Sequence, residues 1–133
     1  MKECASCNSE AVPTDPPPVL LSQIVRRAAE IVDPDDDDAT VGDFELMFED
    51  ADEPVAALDD VQARVATALA DLDPAVANGS LSMAGALTIY LSFRRDELGA
   101  DDEELIRLAA RAEWDGSPPT VVSDWLDERG IIV

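Results

Sequence analysis

The sequence predicts an all-α domain, a compact bundle of four to five helices that follows an irregular, proline-rich N-terminal arm. Apolar residues make up 47% of the 133 residues, too large a share for a disordered acidic chain. In several stretches they recur at intervals of three and four, as on one face of a helix. Aromatic residues make up only 5%. Ala, Val, Leu and Ile must therefore fill the core, and such small side chains suit closely packed helices.

Residues 1–18 form the predicted arm. They contain both cysteines and four of the nine prolines, a composition that favours neither a helix nor an interior strand. A single helical domain is expected over residues 19–133, since this length suits one domain. The N-terminus lacks the apolar segment of a signal peptide, and the longest uncharged stretch, 74–93, is interrupted by Pro74 and Gly79. We therefore expect no membrane span, and a location in the cytoplasm or within a virus particle.

The predicted helices are bounded by residues that start or stop a helix. The first covers 19–32 and ends before Pro34, and the acidic run 33–38 is expected to be a solvated loop. Pro54 is expected to start the clearest helix, whose apolar stripe reaches Leu72. The other segments that favour a helix are 42–50, 81–98, about 101–114 and about 118–129. No period of repetition is visible in the sequence.

The helix predicted at 81–98 is expected to be central. It carries no charged residue up to Phe93, and a helix that is uncharged all round is usually buried. A stripe of small residues along it would let a neighbouring helix approach closely. This stripe consists of Ser82, Gly85, Thr88 and Ser92.

The net charge of the chain indicates the salt concentration in which the protein works, and it does not indicate a reaction. Thirty acidic residues face nine basic ones, the formal net charge is −21, and histidine is absent. Repulsion between these charges destabilises a compact state in dilute buffer and is screened by molar salt. Aspartate outnumbers glutamate by 19 to 11, and arginine outnumbers lysine by eight to one. This usage resembles the proteome style of salt-in halophilic archaea, and the resemblance implies a haloadapted protein of such an organism or of its virus.

Cys4 and Cys7 have the spacing of metal ligands and resemble half of a zinc ribbon. No other cysteine and no histidine exists to complete a tetrahedral site. Zinc binding therefore requires a site shared between two arms or with the cysteines of a partner. A reduced dithiol, a disulfide and the vestige of a lost zinc knuckle are the other interpretations.

Two further segments were considered as binding sites, and only the second is expected to be one. The run from Asp33 to Asp37 matches the first ligand positions of an EF-hand loop, but the turn glycine and the final bidentate glutamate are missing. A solvated acidic loop is therefore expected there. At the other end, Ile131, Ile132 and Val133 form an apolar tail that requires a groove or a partner to bury it. We predict that this tail binds a partner.

An enzyme is not expected, because a chain without histidine has no Ser–His or Cys–His pair, and no phosphate-binding glycine loop occurs. The sequence therefore predicts a non-catalytic structural or adaptor protein of a larger assembly, with another protein or further copies of the chain as partners. One alternative is an acidic nucleic-acid mimic that inhibits a DNA- or RNA-binding protein.

A second alternative is a transcription regulator, since residues 104–133 resemble the end of a winged helix-turn-helix domain in outline. The predicted recognition helix, however, carries Asp124, Asp127 and Glu128 against Arg129 alone. Affinity for DNA comes mainly from cations that neutralise phosphates. Direct binding of nucleic acid is therefore not expected.

Overall fold

A computed structural model describes residues 18–132, and this part of the protein is all-helical. Two short 3-10 helices, Val55–Ala57 and Arg95–Glu97, lie between the longer elements. The α-helices are α1 (Leu21–Val32), α2 (Ala39–Met47), α3 (Val61–Leu72), α4 (Gly79–Phe93), α5 (Asp102–Trp114) and α6 (Thr120–Glu128). The all-α prediction is confirmed. The division into an arm (1–18) and a domain (19–133) stays a prediction, since residues 1–17 lie outside the described part.

The predicted count of four to five helices is too low, because the described residues contain six α-helices. Helix α2, which corresponds to the predicted segment 42–50, has only nine residues and is shorter than an isolated helix can be in water. Its first turn is capped by Asp38, whose carboxylate accepts from the backbone N–H groups of Thr40 and Val41. Val41 and Phe44 are buried in the shared core, so tertiary packing stabilises this helix.

Helix α4 is the centre of the fold, as predicted, and it contacts each of the other five helices. It runs from Gly79 to Phe93 rather than over 81–98, and Asn78 caps it by accepting from the N–H of Leu81. Gly85 allows the close approach that the small-residue stripe predicted, since a Cβ there would lie 2.7 Å from Leu69 Cδ1 of α3. The buried hydroxyl of Thr88 donates to the carbonyl of Ala84 over 2.8 Å, so burying it leaves no unpaired donor.

The helix predicted to start at Pro54 begins only at Val61. Pro54 is extended and forms an antiparallel β-bridge with Leu20, and Val55 N–H donates to the carbonyl of Val19 over 2.8 Å. Just before it, the carbonyls of Ala51 and Glu53 accept from two backbone N–H groups in the first turn of α1. The first N–H groups of a helix have no partner within it. Residues 51–55 therefore serve as a tertiary cap of α1, which local spacing could not reveal.

Two loops, Asp33–Asp38 and Asp73–Asn78, share one conformation forty positions apart, although the sequence showed no repetition. Asp33 accepts from the backbone N–H groups of Asp37 and Asp38, both over 2.9 Å. In the second loop Asp73 accepts from the N–H groups of Ala77 and Asn78 in the same way, over 3.0 and 2.9 Å. Asn78 Nδ2 also donates to the Asp38 carboxylate, so the loops meet at equivalent positions. The side chains correspond only at Asp33 and Asp73, Pro34 and Pro74, and Asp38 and Asn78, so the sequence shows little repetition.

Candidate interaction surface

The predicted metal ligands Cys4 and Cys7 lie outside the described residues. Within residues 18–132, no group of three or more possible ligands could hold a metal ion. In the acidic loop, Asp33 and Asp38 bind backbone N–H groups with their carboxylates. The equivalent loop at Asp73 has the same hydrogen bonds without the acidic run. The loop conformation therefore does not depend on Asp35, Asp36 and Asp37.

The apolar tail is divided between the core and the surface. Gly130 has a φ of +70° and ends α6. Its N–H donates to Asp127 O, and the N–H of Ile131 donates to Leu126 O over 3.0 Å, the hydrogen-bond pattern of a Schellman motif. This turn places Ile131 in the core with 6% of its surface exposed, whereas Ile132 is 83% exposed. Val133 lies outside the described residues, so Ile132 is the tail residue seen free to meet a partner.

We expect Ile131→Ser to lower the free energy of unfolding by about 2–3 kcal/mol, because a buried isoleucine contributes roughly that much. The matched change Ile132→Ser removes the same side chain from an exposed position. It is expected to leave the stability of the monomer within about 0.5 kcal/mol of the parent. Urea unfolding of both variants in molar KCl measures the difference. An equal decrease in the free energy of unfolding in both variants would show that Ile131 is not more buried than Ile132.

The scarce arginines are mostly engaged within the fold. Arg129, the residue after α6, donates to the carbonyl of Val32 over 2.6 Å and stacks on Trp125, with its Cζ 4.2 Å from the ring centroid. Arg27 donates to the carbonyls of Leu98 and Ala100. These guanidinium groups therefore connect distant segments of the fold by hydrogen bonds. Helix α6 contains no Lys or Arg that could contact phosphates.

Helix α3 has an exposed face whose only carboxylate is Asp71, near the end of the helix. Its exposed positions between Val61 and Ala70 carry no charge, and Arg64, paired with Glu53, is the only charged residue of that stretch. The exposed uncharged residues are Gln62, Ala63, Ala66, Thr67 and Ala70.

Three large apolar side chains border this face, each in a groove that α3 forms with a neighbouring segment. Phe93, 70% exposed, lies in a groove with Val61 and Gln62. Met47, 48% exposed, shares a second groove with Ala63 and Thr67, and Val76, 54% exposed, shares a third with Ala66 and Ala70. We call the α3 face together with Met47, Val76 and Phe93 the α3 surface. Several large apolar side chains exposed around one helix face are typical of an interaction site.

Val76 also carries backbone strain. Its φ is +51°, a left-handed conformation that a β-branched side chain adopts at a cost of about 1–3 kcal/mol. The equivalent residue of the first loop is Asp36, with a φ of +56°, and aspartate tolerates this region better. The chain therefore places an exposed, apolar, strained residue where a polar one would be more stable. Such strain is often found at functional positions.

Another groove lies between α4 and α5, next to Phe93. Tyr90 and Glu113 both line it. Burial raises the pKa of Tyr90, and the hydrogen bond from its hydroxyl to Glu97 Oε1 raises it further. Desolvation also raises the pKa of Glu113. Arg94 also lines the groove, and its guanidinium group pairs with Glu97. Ile89, Tyr90 and Phe93 give this groove apolar surface beside the α3 surface.

The α3 surface was not predicted from the sequence. A signal was present in the sequence, since the polar positions of residues 61–70 are Gln62, Arg64 and Thr67 and none of them is a carboxylate. The spacing of the apolar residues pointed to the buried side of the helix instead.

Among residues 18–132 no helix is both long and apolar enough to cross a bilayer. No protein-family model matches the chain, and no curated protein and no solved structure matches it.

Proposed function

We propose that the protein is a non-catalytic structural or adaptor protein that assembles through its α3 surface, with a second copy of the chain as the partner. The observation that carries this proposal is the uncharged α3 face bordered by exposed Phe93, Met47 and Val76. In a haloadapted protein, molar salt reduces the repulsion between two acidic bodies to short range. Apolar surface can then be buried between them.

Electrostatics supports this choice of surface. The exposed faces of α5 and α6 carry carboxylates, among them Asp102, Glu103, Asp124 and Asp127. A contact through these faces would bring like charges together and desolvate them. A partner for the α3 surface must itself be largely uncharged at the contact, and a second copy of the chain meets this condition. A twofold axis would place the same surface on both sides.

The alternatives have less support. A nucleic-acid mimic would bind through its acidic faces and would give the α3 surface no role. A transcription regulator would need cations on α6, where Arg129 is held by Val32 and Trp125. Zinc shared between the Cys4 and Cys7 pairs of two arms stays a prediction, and the cytoplasm or a virus particle stays the predicted location.

We expect Val76→Asn to stabilise the monomer and weaken the assembly at the same time. Asparagine tolerates the left-handed conformation, so removing the strain should gain about 1 kcal/mol and raise the melting temperature by about 4 °C. Loss of an apolar contact in the interface should raise the dissociation constant about tenfold. Thermal unfolding at low protein concentration and light scattering over a concentration series, both in molar KCl, measure the two effects.

Two further variants are the controls. Ala66→Glu places a charge in the middle of the α3 surface and should weaken association, whereas Ala39→Glu adds the same charge at an exposed position of α2 and should not. A wild-type protein that stays monomeric at every concentration in molar KCl would contradict assembly through copies of the chain. Equal association of Ala66→Glu and Ala39→Glu would show that a different surface is used.

A further inference from the structure

We infer that Asn78 is a modification site, at which deamidation makes an opening of the fold irreversible. Asn78 is followed by Gly79. Asparagine is a thermolabile residue, and deamidation is least hindered before glycine, which has no Cβ beside the attacking backbone nitrogen. The inference goes beyond the proposed assembly and does not depend on it, because it concerns the loop 73–78 and the first turn of α4.

The reaction needs only the chain and water. The backbone nitrogen of Gly79 attacks Cγ of the Asn78 side chain and gives up its proton, and the side-chain nitrogen leaves as ammonia. A cyclic succinimide remains. Water then opens this ring at either of its two carbonyl groups. The product is aspartate, or isoaspartate, in which the main chain runs through the former side-chain carbon. Both products carry a carboxylate in place of the amide.

The packing of α4 against α6 requires the glycine. A Cβ at position 79 would lie 2.5 Å from the carbonyl oxygen of Val121 and 2.9 Å from the Cβ of Trp125. A side chain at this position would hinder the attack on the preceding residue, but it would also force the two helices apart. The fold therefore keeps the residue that makes Asn78 most reactive.

Asparagine suits position 78 for two reasons. Its Oδ1 accepts from the N–H of Leu81 over 3.0 Å and so caps α4. Its Nδ2 lies 3.4 Å from Oδ2 of Asp38, where the two equivalent loops meet. Aspartate caps a helix equally well, but it would bring a second carboxylate to Asp38. The reactive pair of residues therefore lies at a contact that depends on the amide.

The folded protein resists the reaction. The hydrogen bonds of Asn78 hold its side chain in the capping position, and Gly79 is buried beside α6. Ring closure must bring Cγ of Asn78 into bonding distance of the Gly79 nitrogen, which disrupts the cap. The first turn of α4 must therefore open before the reaction occurs. Repulsion within a chain of net charge −21 favours such opening in dilute buffer, and molar salt suppresses it.

Both products hinder refolding. Aspartate at position 78 would face the carboxylate of Asp38, and like charges at a shared site destabilise each other. Isoaspartate lengthens the main chain by one carbon and moves the capping oxygen away from the N–H of Leu81. Helix α4 contacts each of the other five helices, so damage at its start affects the whole domain. A period in dilute buffer therefore leaves a permanent loss of stability.

Mass spectrometry of the peptide that contains Asn78 measures the reaction after incubation of the full chain at constant pH and temperature. We expect deamidation in molar KCl to be at least about tenfold slower than in dilute buffer or in urea, because it requires opening. In molar KCl, the destabilised variant Ile131→Ser should react at least about tenfold faster than the parent. Ile132→Ser removes an exposed side chain and should react at the rate of the parent.

Two variants measure the effect of the product. Asn78→Asp is one product of the reaction, and Asn78→Ser keeps a capping oxygen without a charge. In dilute buffer, Asn78→Asp should melt about 5 °C or more below Asn78→Ser, because two carboxylates then face each other. Combining Asn78→Asp with Asp38→Asn exchanges the amide and the carboxylate across the contact. This double variant should recover most of the loss.

Four results would overturn the inference. An Asn78 that stays intact in urea would show that the site is not reactive. Deamidation in molar KCl as fast as in urea would show that the fold does not control the reaction. Equal rates in Ile131→Ser and Ile132→Ser would show that opening is not required. Equal melting temperatures of Asn78→Asp and Asn78→Ser would show that the product does not weaken the fold.

Discussion

Transfer from dilute buffer to molar KCl is expected to raise the melting temperature by about 20 °C or more, since each 1 kcal/mol shifts it by about 4–8 °C in a domain of about 100 residues. The net charge of −21 is distributed over a small surface. Two unit charges 10 Å apart in water repel by about 0.4 kcal/mol, and many such pairs sum to several kcal/mol. Salt shortens the screening length from about 10 Å at 0.1 M to about 3 Å at 1 M.

Surface ion pairs do not offset this repulsion. Arg27 and Arg107 pair with Asp102 and Glu103 at the surface, where one pair contributes at most about 1 kcal/mol. Circular dichroism during heating, over a series of KCl concentrations, measures the effect of salt.

A charge-reduced variant is the control for the salt effect. Asp35, Asp36 and Asp37 are exposed, and their side chains make no hydrogen bond within the described residues. Changing all three to asparagine should raise the melting temperature in dilute buffer and have less effect in molar KCl. Asn also tolerates the left-handed conformation at position 36. A melting temperature that does not depend on salt, in both proteins, would remove the main support for haloadaptation.

Gly79→Ala is expected to lower the free energy of unfolding by about 1–3 kcal/mol, the usual cost of overpacking. The first residue of α4 lies against α6, and a Cβ at position 79 would be 2.5 Å from the carbonyl oxygen of Val121 and 2.9 Å from the Cβ of Trp125. The carbonyl belongs to the backbone of α6, so α4 and α6 must move apart to admit one methyl group.

Gly42→Ala makes the same change in α2 with the opposite expected sign. No atom lies within 4 Å of a Cβ built at that position. Replacing a helical glycine by alanine should stabilise the protein by about 0.5–1 kcal/mol. Urea unfolding of both variants in molar KCl gives the comparison. A stabilising Gly79→Ala would show that α6 does not pack on the start of α4 in this way.

The helix ends that the sequence located correctly depend on local chemistry. Pro34 follows the end of α1, Asp101 caps α5 through the N–H of Glu104, and Gly130 ends α6 with a positive φ. Each of these signals acts within one turn, so no knowledge of the tertiary structure is needed. For the same reason the all-helical class could be predicted from apolar spacing.

The incorrect predictions concern contacts between distant segments. Pro54 has the properties of a first helical residue, but the bridge to Leu20 holds it extended and delays α3 to Val61. The repeat of the Asp33 and Asp73 loops was missed because only a few side chains form it. In both cases hydrogen bonds that form only in the folded chain decide the local conformation, so the sequence alone could not predict it.

The sequence by itself determined the helical class, the approximate positions of the helices and the acidic surface, because these follow from composition and local spacing. Only the tertiary structure decided which uncharged stretch remains accessible. Residues 61–70 and α4 are both almost free of charge, yet α4 is surrounded by five helices and α3 is exposed along one side. The apolar stripe of α3 predicted one buried face, but it did not show which neighbouring segments would leave the other face open. The number of neighbours that cover each helix is set by the packing of the whole chain, and this packing leaves the α3 surface open.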